Sequence, residues 1–401
     1  MDTLKKIACD AIDKETAQLF DLSQEIWHHK ELAFEEHKSH GTLTQFLEER
    51  GFIVQRHHKL ETAFLAQWER SKKPRTDNDH KPHIAVLCEY DALPDIGHAC
   101  GHNLIAELGV AAALGIKAAM DHAEKDLGKL SVIGTPAEEG GGGKIDLINA
   151  GVFDDVDVVM MAHPAPFSDA RPVFIGGKKF YVNYHGKPSH AAGFPWEGVN
   201  ALDAAVLGYM NIAALRQQLH PSWRVHVIIT KGGTKTNIIP DETEMMVQIR
   251  TSRDSEIPQL EAKVKACLKA SAEATGSTFD FVDFPKPYSS LVTNETLASL
   301  YEANGALIGE KFPLVTTKKV LGSTDMGNLS HKLPSLHPTY QFGTEAFNHT
   351  REFTTAAGSP EAQPSTIVQG KILAMVAVDI FSKPHLLDSI KQDFENDKKN
   401  F

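Results

Sequence analysis

Cysteine is scarce. Four in 401 residues (Cys9, Cys88, Cys100, Cys267) are too few for a disulfide scaffold, and no CxxC spacing offers a redox dithiol. No stretch approaches the roughly 18 uninterrupted apolar residues a membrane-crossing helix needs. The opening "MDTLKKIACDAIDKETAQLF" reads as an amphipathic helix without the apolar core or cleavage site of a signal peptide, so the expectation is a cytoplasmic protein. Positive charge is also short: 41 Lys and Arg stand against 52 Asp and Glu, a net charge of −11. That balance argues against nucleic acid or an anionic membrane as partner. The one basic run, Glu69 to Arg75, reads as a solvated loop. Repeats are absent, and Gly140 to Gly143 is the only low-complexity tract.

What is present is the apolar content of a globular chain long enough for two domains. Residues 1–50 read as two helices, followed by short strands in "GFIVQRHH" and "TAFLAQWE". "HIAVLCEYDALP" (His83 to Pro94) is a continuous apolar run ending in turn residues, the pattern of a strand buried on both faces. An Ala-rich helix follows from about His102 to Met120. "KLSVIGTPAEEGGGG" and "DVDVVMMAHPAP" repeat the strand-and-loop scheme, which indicates an α/β domain. Near residue 178 the pattern changes. Alternating "KKFYVNYHGKPSHAA", a helix from Gly198 to Leu219, two strands, a helix and "TFDFVDF" give strand–helix–strand–strand–helix–strand, the split βαβ order. We read 178–285 as an inserted α+β domain, with 1–177 and 286–401 forming the α/β domain. The latter resumes with a helix, a strand near 315–321, a strand "TYQFGT" and a last helix, Gln363 to Phe381. The sheet edge and long helix of the insert are surfaces for a partner, so a homodimer is expected there.

Open α/β sheets bind ligands beyond the carboxyl ends of their strands. Asp91, Cys100, His102, Glu138, Glu139 and His163 all follow an expected strand end. Cys100 and His102 are two residues apart among glycines, so a thiolate and an imidazole can reach one cation or two neighbouring ones. The adjacent carboxylates of Glu138 and Glu139 repel unless a cation or shared proton relieves them, and a ligand beside a general base is a division of labour suited to hydrolysis. His163, His190 and His349 sit in loops rich in Pro or Gly. Singly, each of these residues is more often structural, and a Cys–His nucleophilic pair is a rival for Cys100. That rival leaves the Glu pair and His349 without a role. Cys9, Cys88 and Cys267 are assigned to packing, and His28, His29, His57 and His58 to structure.

The segments "EYDALPDIGHACGHNLIA", "GTPAEEGGGGKIDLINAGVF", "VVMMAHP", "GKPSHAAGFPWEGVNALDAAV", "TNIIPDETEMMVQIR", "GSTDMGN" and "NHTREFTTAAGSPEAQ" resemble the aminoacylase/carboxypeptidase metallopeptidase superfamily. The match is to its amidohydrolase branch, first to the β-alanyl-lysine (Xaa-Arg) dipeptidase group and next to bacterial aminobenzoyl-glutamate hydrolases. The likeness runs from the first helices to Phe381. It implies a mixed-sheet α/β/α catalytic domain with a ferredoxin-like dimerisation domain inserted. It implies that Cys100, His102, Glu139, His163 and His349 hold two divalent metal ions, with Glu138 as general base and acid. Asp91 would orient a ligand histidine. His190 would stabilise the oxyanion, within its own subunit or across a dimer. Asn237 and Arg250 would contact substrate, as would Ser323 and Thr324; strand-end capping, surface charge and packing are equal alternatives for these four. The text Glu89-Tyr90-Asp91 departs from the His-x-Asp of most of the superfamily. With a thiolate present, zinc is the first expectation, and manganese or cobalt remain open. The implied substrates are dipeptides or N-acyl amino acids, basic C-terminal residues (Lys, Arg, ornithine) first. Aryl conjugates such as aminobenzoyl-glutamate are the alternative among enzymes, and a catalytically silent binding or scaffold protein is the alternative of another class.

Overall fold

The computed structural model describes residues 1–70, 81–312 and 320–400. Most of the basic run, and the expected strand at 315–321 apart from Val320–Leu321, lie outside the described residues. The chain forms two compact units, one of Met1–Val173, Leu291–Val320 and Thr324–Asn400, the other of Phe174–Ser290 and Leu321–Ser323. The second unit begins before the expected residue 178 and ends after 285. The reason is hydrogen bonding: its first strand starts at Gly176, and Tyr288 closes on that strand, with Gly177 N–H donating to the Tyr288 carbonyl at 2.7 Å.

In the first unit, residues 1–50 form three helices rather than two: α1 (Thr3–Lys14), α2 (Thr16–His29) and α3 (His37–Glu49). The break between α2 and α3 contains neither Gly nor Pro. Lys30 (φ 52) and Phe34 (φ 64) turn it with left-handed backbone, a conformation with no clear signature in these residue types. The strands are β1 (Ile53–Arg56), β2 (Phe64–Glu69), β3 (His83–Cys88), β4 (Lys129–Gly134) and β5 (Val158–Met160). Their sheet runs β1-β2-β4-β3-β5 and ends on Ser335–Leu336. The β1, β2 and β4 pairings are antiparallel, whereas β4, β3, β5 and the last strand are parallel. Every residue of β3 is buried, as its unbroken apolar run requires.

Helix α4 (His102–His122) is buried for most of its length. It packs against β3 through Gly109, where an added Cβ would lie 2.7 Å from both the Cys88 sulfur and the Leu87 carbonyl oxygen. On its other side lies the helix Gln363–Ser382, whose Gly370 meets Ala111. By length and composition α4 and the stretch Pro360–Ser382 could each cross a membrane, but 89% and 78% of their apolar windows are buried in the protein core. A further helix, Pro384–Asp397, extends beyond the one expected to be last, and the short helices Met326–Ser330 and Arg351–Ala357 were not anticipated. The strand expected in "TYQFGT" shrinks to Thr339–Tyr340, paired in parallel with His163–Pro164.

The second unit is a four-stranded antiparallel sheet in the order 278–283, 176–185, 242–251, 224–231. Helices Ala201–Leu215 and Ile257–Thr275 cover one face. Phe180, Val182, Tyr184, Met245, Val247 and Ile249 alternate inward against Leu260, Val264 and Leu268 to make its separate core. This is the expected split βαβ arrangement.

Candidate metal centre

Three loops of the first unit converge at the carboxyl ends of its parallel strands. After β3 comes Glu89-Tyr90-Asp91. Asp91 Oδ1 takes His102 Nδ1 at 2.9 Å, and its Oδ2 accepts the Glu139 N–H at 2.9 Å. The Asp91–His102 bond holds the imidazole with Nδ1 rearward and Nε2 facing the site. Nε2 is buried and has no hydrogen-bond partner among the described residues. His163 repeats the device: Nδ1 lies 2.8 Å from the Pro164 carbonyl oxygen, and Nε2 faces Cys100 Sγ at 3.5 Å. Two imidazoles anchored through Nδ1 and presenting Nε2 form the usual arrangement of metal-ligating histidines.

Donor atoms of Cys100, His102 and His163 lie within 4.8 Å of one another, as do those of Cys100, Glu139 and His349, and those of His102, Glu138 and Glu139. Cys100, His102 and Glu139 each belong to two of the groups, as expected of ligands near a cation pair. Gly101 (φ +76) caps α4 and approaches Pro164 so closely that a Cβ would sit 2.5 Å from the proline ring. His349 is itself left-handed (φ 67), tied by its N–H to the Ala99 carbonyl at 2.8 Å, with Nε2 3.3 Å from Glu139. Such backbone strain persists only where surrounding structure enforces it.

The electrostatics ask for positive charge. Glu89, Asp91, Glu138 and Asp325 are buried here beside Glu139, with the Lys144 ammonium among them. Burial, then the charges of Glu89, Glu139 and Asp325, push the Glu138 carboxyl well above the usual range. Burial opposes charge on His102, but Asp91 outweighs it and holds the imidazolium well above its ordinary value. Burial raises the Cys100 thiol, with Glu139 adding to it, and lowers His163 to about 4. A thiol, three imidazoles and two carboxylates in so small a space fit divalent cations in chemistry and charge.

The sequence reading missed several neighbours. Lys144 Nζ bridges Glu89 Oε1 at 2.5 Å and Asp325 Oδ1 at 2.6 Å, all three side chains fully buried. Asn348 Nδ2 reaches Cys100 Sγ at 3.7 Å and the Pro164 carbonyl at 3.2 Å. The buried His337 ring lies 5.6 Å from that of His163. An "NH" pair beside His349 and a lysine just past "GGGG" were the available hints.

Cys100, His102, Glu138, Glu139, His163, His349 and Asp91 are thus brought together. Thr324 belongs to the first unit, but its buried hydroxyl accepts the Met326 N–H at 3.2 Å, a local cap. His190, Asn237, Arg250 and Ser323 belong to the second unit. His190 is exposed, and its Nδ1 accepts Ala192 and Gly193 N–H at 3.2 and 3.0 Å, which leaves Nε2 as the N–H donor. The Asn237 carbonyl accepts the Ala191 N–H at 3.1 Å. Arg250 is half-buried opposite Gly177, and the Ser323 hydroxyl is buried without a hydrogen-bond partner among the described residues.

With this geometry in view, similarity to known proteins is informative. The mouse Xaa-Arg dipeptidase is 47% identical over 98% of this chain and 93% of its own length, and the human one 45% over the same shares. The chain belongs to the M20 peptidase family, with the Xaa-Arg dipeptidases. A peptidase dimerisation domain model matches residues 176–276, within the second unit. One of the subunits of the Escherichia coli p-aminobenzoyl-glutamate hydrolase is 27% identical over 98% of this chain and 95% of its own length. Among solved structures, a Bacillus subtilis dinuclear metal binding peptidase of the M20 family superposes with a TM-score of 0.72 at 20% identity, covering 92% of this chain and 99% of that one. This M20 family member is a hydrolase of peptide bonds, a reading favoured over the catalytically silent alternative by the dipeptidase relatives.

Proposed function

We propose that the protein is a two-metal dipeptidase that cleaves small dipeptides or N-acyl amino acids, with a basic C-terminal residue preferred. One observation carries the chemistry: His102 and His163 are both anchored at Nδ1 and present Nε2 to a space shared by Cys100, Glu139 and His349. Those five residues would hold two divalent ions, zinc first because of the thiolate, with manganese or cobalt as alternatives. Such a pair, when bound, supplies an acidified water and an electrophile for the substrate carbonyl.

The chain's own residues do the rest. Glu138 takes a proton from the attacking water and delivers it to the leaving amine nitrogen. Asp91 fixes the His102 tautomer. His190 donates from Nε2 to the oxyanion, an interaction typically worth about 3 kcal/mol. Arg250 and Asn237 contact the substrate, Arg250 through its terminal carboxylate, and Ser323 is a further substrate contact. Support for a basic C-terminal residue comes from the names of the mouse and human relatives.

The decisive variant is Glu138→Gln. Its expected result is loss of turnover by at least about 100-fold with two metals still bound per chain by elemental analysis. Full activity would remove Glu138 from the mechanism. A panel of Xaa-Arg, Xaa-Lys and Xaa-ornithine dipeptides against aminobenzoyl-glutamate tests the substrate. Faster turnover of the aryl conjugate would overturn the dipeptide assignment.

A further inference from the structure

The turn between α2 and α3 lies far in sequence from every candidate ligand, yet it is bonded to their loops. Glu36 in this turn is fully buried. Its Oε1 accepts the Ala137 N–H at 2.9 Å and the Phe34 N–H at 3.0 Å, while its Oε2 accepts the Thr62 hydroxyl at 2.7 Å. Ala137 immediately precedes Glu138 and Glu139, and it is left-handed, with φ 61. That conformation is unfavourable for a residue with a Cβ. Two further bonds stabilise the turn that Ala137 opens, from the Gly141 and Gly142 N–H groups to the Ala137 carbonyl at 3.1 and 2.9 Å. An added Cβ on Gly141 would lie 2.6 Å from Ala137 Cβ and 2.7 Å from the Phe34 ring. The same turn reaches the β3 loop, whose Ala92 N–H donates to the Glu31 carbonyl at 2.8 Å. The Tyr90 hydroxyl of that loop donates at 2.5 Å to the carbonyl of Thr62, which lies just before β2 and is bonded to Glu36.

We propose that Glu36 is a positioning residue that holds Ala137 in its left-handed conformation and thereby aims Glu138 and Glu139 at the metal centre. Backbone direction at Ala137 decides where the next two side chains point. A relaxed, right-handed Ala137 would swing both carboxylates away. The Glu36 carboxylate accepts the Ala137 N–H and also locks the turn that packs over Gly141. This inference rests on the assignment of Glu138 as base and Glu139 as ligand.

The test is steady-state kinetics and metal content of the metal-loaded enzyme. Glu36→Ala should lower kcat by about 10- to 100-fold, since a displacement near 1 Å at a reacting group has effects of that order, with KM little changed. Glu36→Gln keeps an amide oxygen for Ala137 and should recover most of the loss. Glycine adopts positive φ readily, so adding Ala137→Gly to Glu36→Ala should restore part of kcat. If Glu36→Ala does not fold, Glu36→Asp, which withdraws the carboxylate by one methylene, should lower kcat in the same direction.

A variant that melts earlier but keeps wild-type kcat and metal content would make Glu36 a structural brace and overturn the proposal. So would a double variant no better than Glu36→Ala. Inactive Glu138→Gln alongside unaffected Glu36→Ala would sink this inference and leave the function standing. Active Glu138→Gln would remove Glu138 from the mechanism, and with it the assignment on which this inference rests.

Discussion

At the scale of single residues, the site depends on side chains whose second atom is already committed. His102 can present Nε2 as a ligand only while Asp91 occupies Nδ1. Asp91→Asn can present an amide N–H to Nδ1 and so stabilise the wrong tautomer. It is expected to weaken metal binding by about 10- to 100-fold, the usual effect of losing such an outer partner, as measured by competition with a chromogenic chelator. Glu107 shows the opposite situation, a carboxyl with no ion-pair partner among the described residues. It is fully buried on α4, and burial pushes it up to about 8, with Ser23 and Gln363 pulling partly back. Its folded value lies above the ordinary 4.5, so the folded state keeps a proton that the unfolded chain sheds. The associated stability is fully present below about 4.5, declines across the window up to about 8, and is gone above it. Glu107→Gln should therefore melt like the parent at acidic pH and above it at alkaline pH. The gap should open by about 1 kcal/mol per pH unit inside the window. Parallel melting curves across pH would refute this.

At the scale of elements, β3 and α4 together set the distance between Asp91 and His102, and Gly109 sets how closely they pack. Gly109→Ala places a methyl 2.7 Å from the Leu87 carbonyl, so the helix must move out. A loss of about 1–3 kcal/mol is expected, together with reduced metal content, by thermal melting and elemental analysis. Elements of this kind were legible because their pattern is local: the unbroken apolar run of β3, the alanine-rich α4, and the alternation of the strand Gly176–His185. The division of residues 1–50 into three helices was not legible. Lys30 and Phe34 make the turn by backbone strain, supported by contacts from elsewhere. The strand expected in "TYQFGT" is short because its ladder with His163–Pro164 ends at Tyr340, and the next N–H, of Gln341, donates to the Ser168 hydroxyl instead of a strand.

At the scale of the whole molecule, the second unit carries a surface that its own core leaves uncovered. Val206, Leu207, Tyr209 and Met210 on the helix Ala201–Leu215 are 40–56% exposed, and Ile228 and Ile229 lie on the edge strand Arg224–Lys231 at 53% and 39%. An apolar helix face beside an edge strand suits a second copy of the chain. The homodimer expected from the sequence should therefore dissociate on Met210→Glu, read as a halved mass by light scattering with the circular dichroism spectrum unchanged. Activity falling in step with dissociation would place His190 in action across the dimer. A parent enzyme that is monomeric at full activity would refute that role.

The sequence by itself determined the class of fold and the residues that can carry chemistry. Cys100 beside His102 and Glu138 beside Glu139 are signals written within a few residues, and hydrophobic period follows from backbone geometry alone. Tertiary structure alone decided which partners hold those groups in place. Glu36 meets Ala137 across 101 positions, Lys144 meets Asp325 across 181, and Asn348 meets Cys100 across 248. No local pattern encodes such pairings. They exist because folding buries charge that must be matched wherever the chain happens to return.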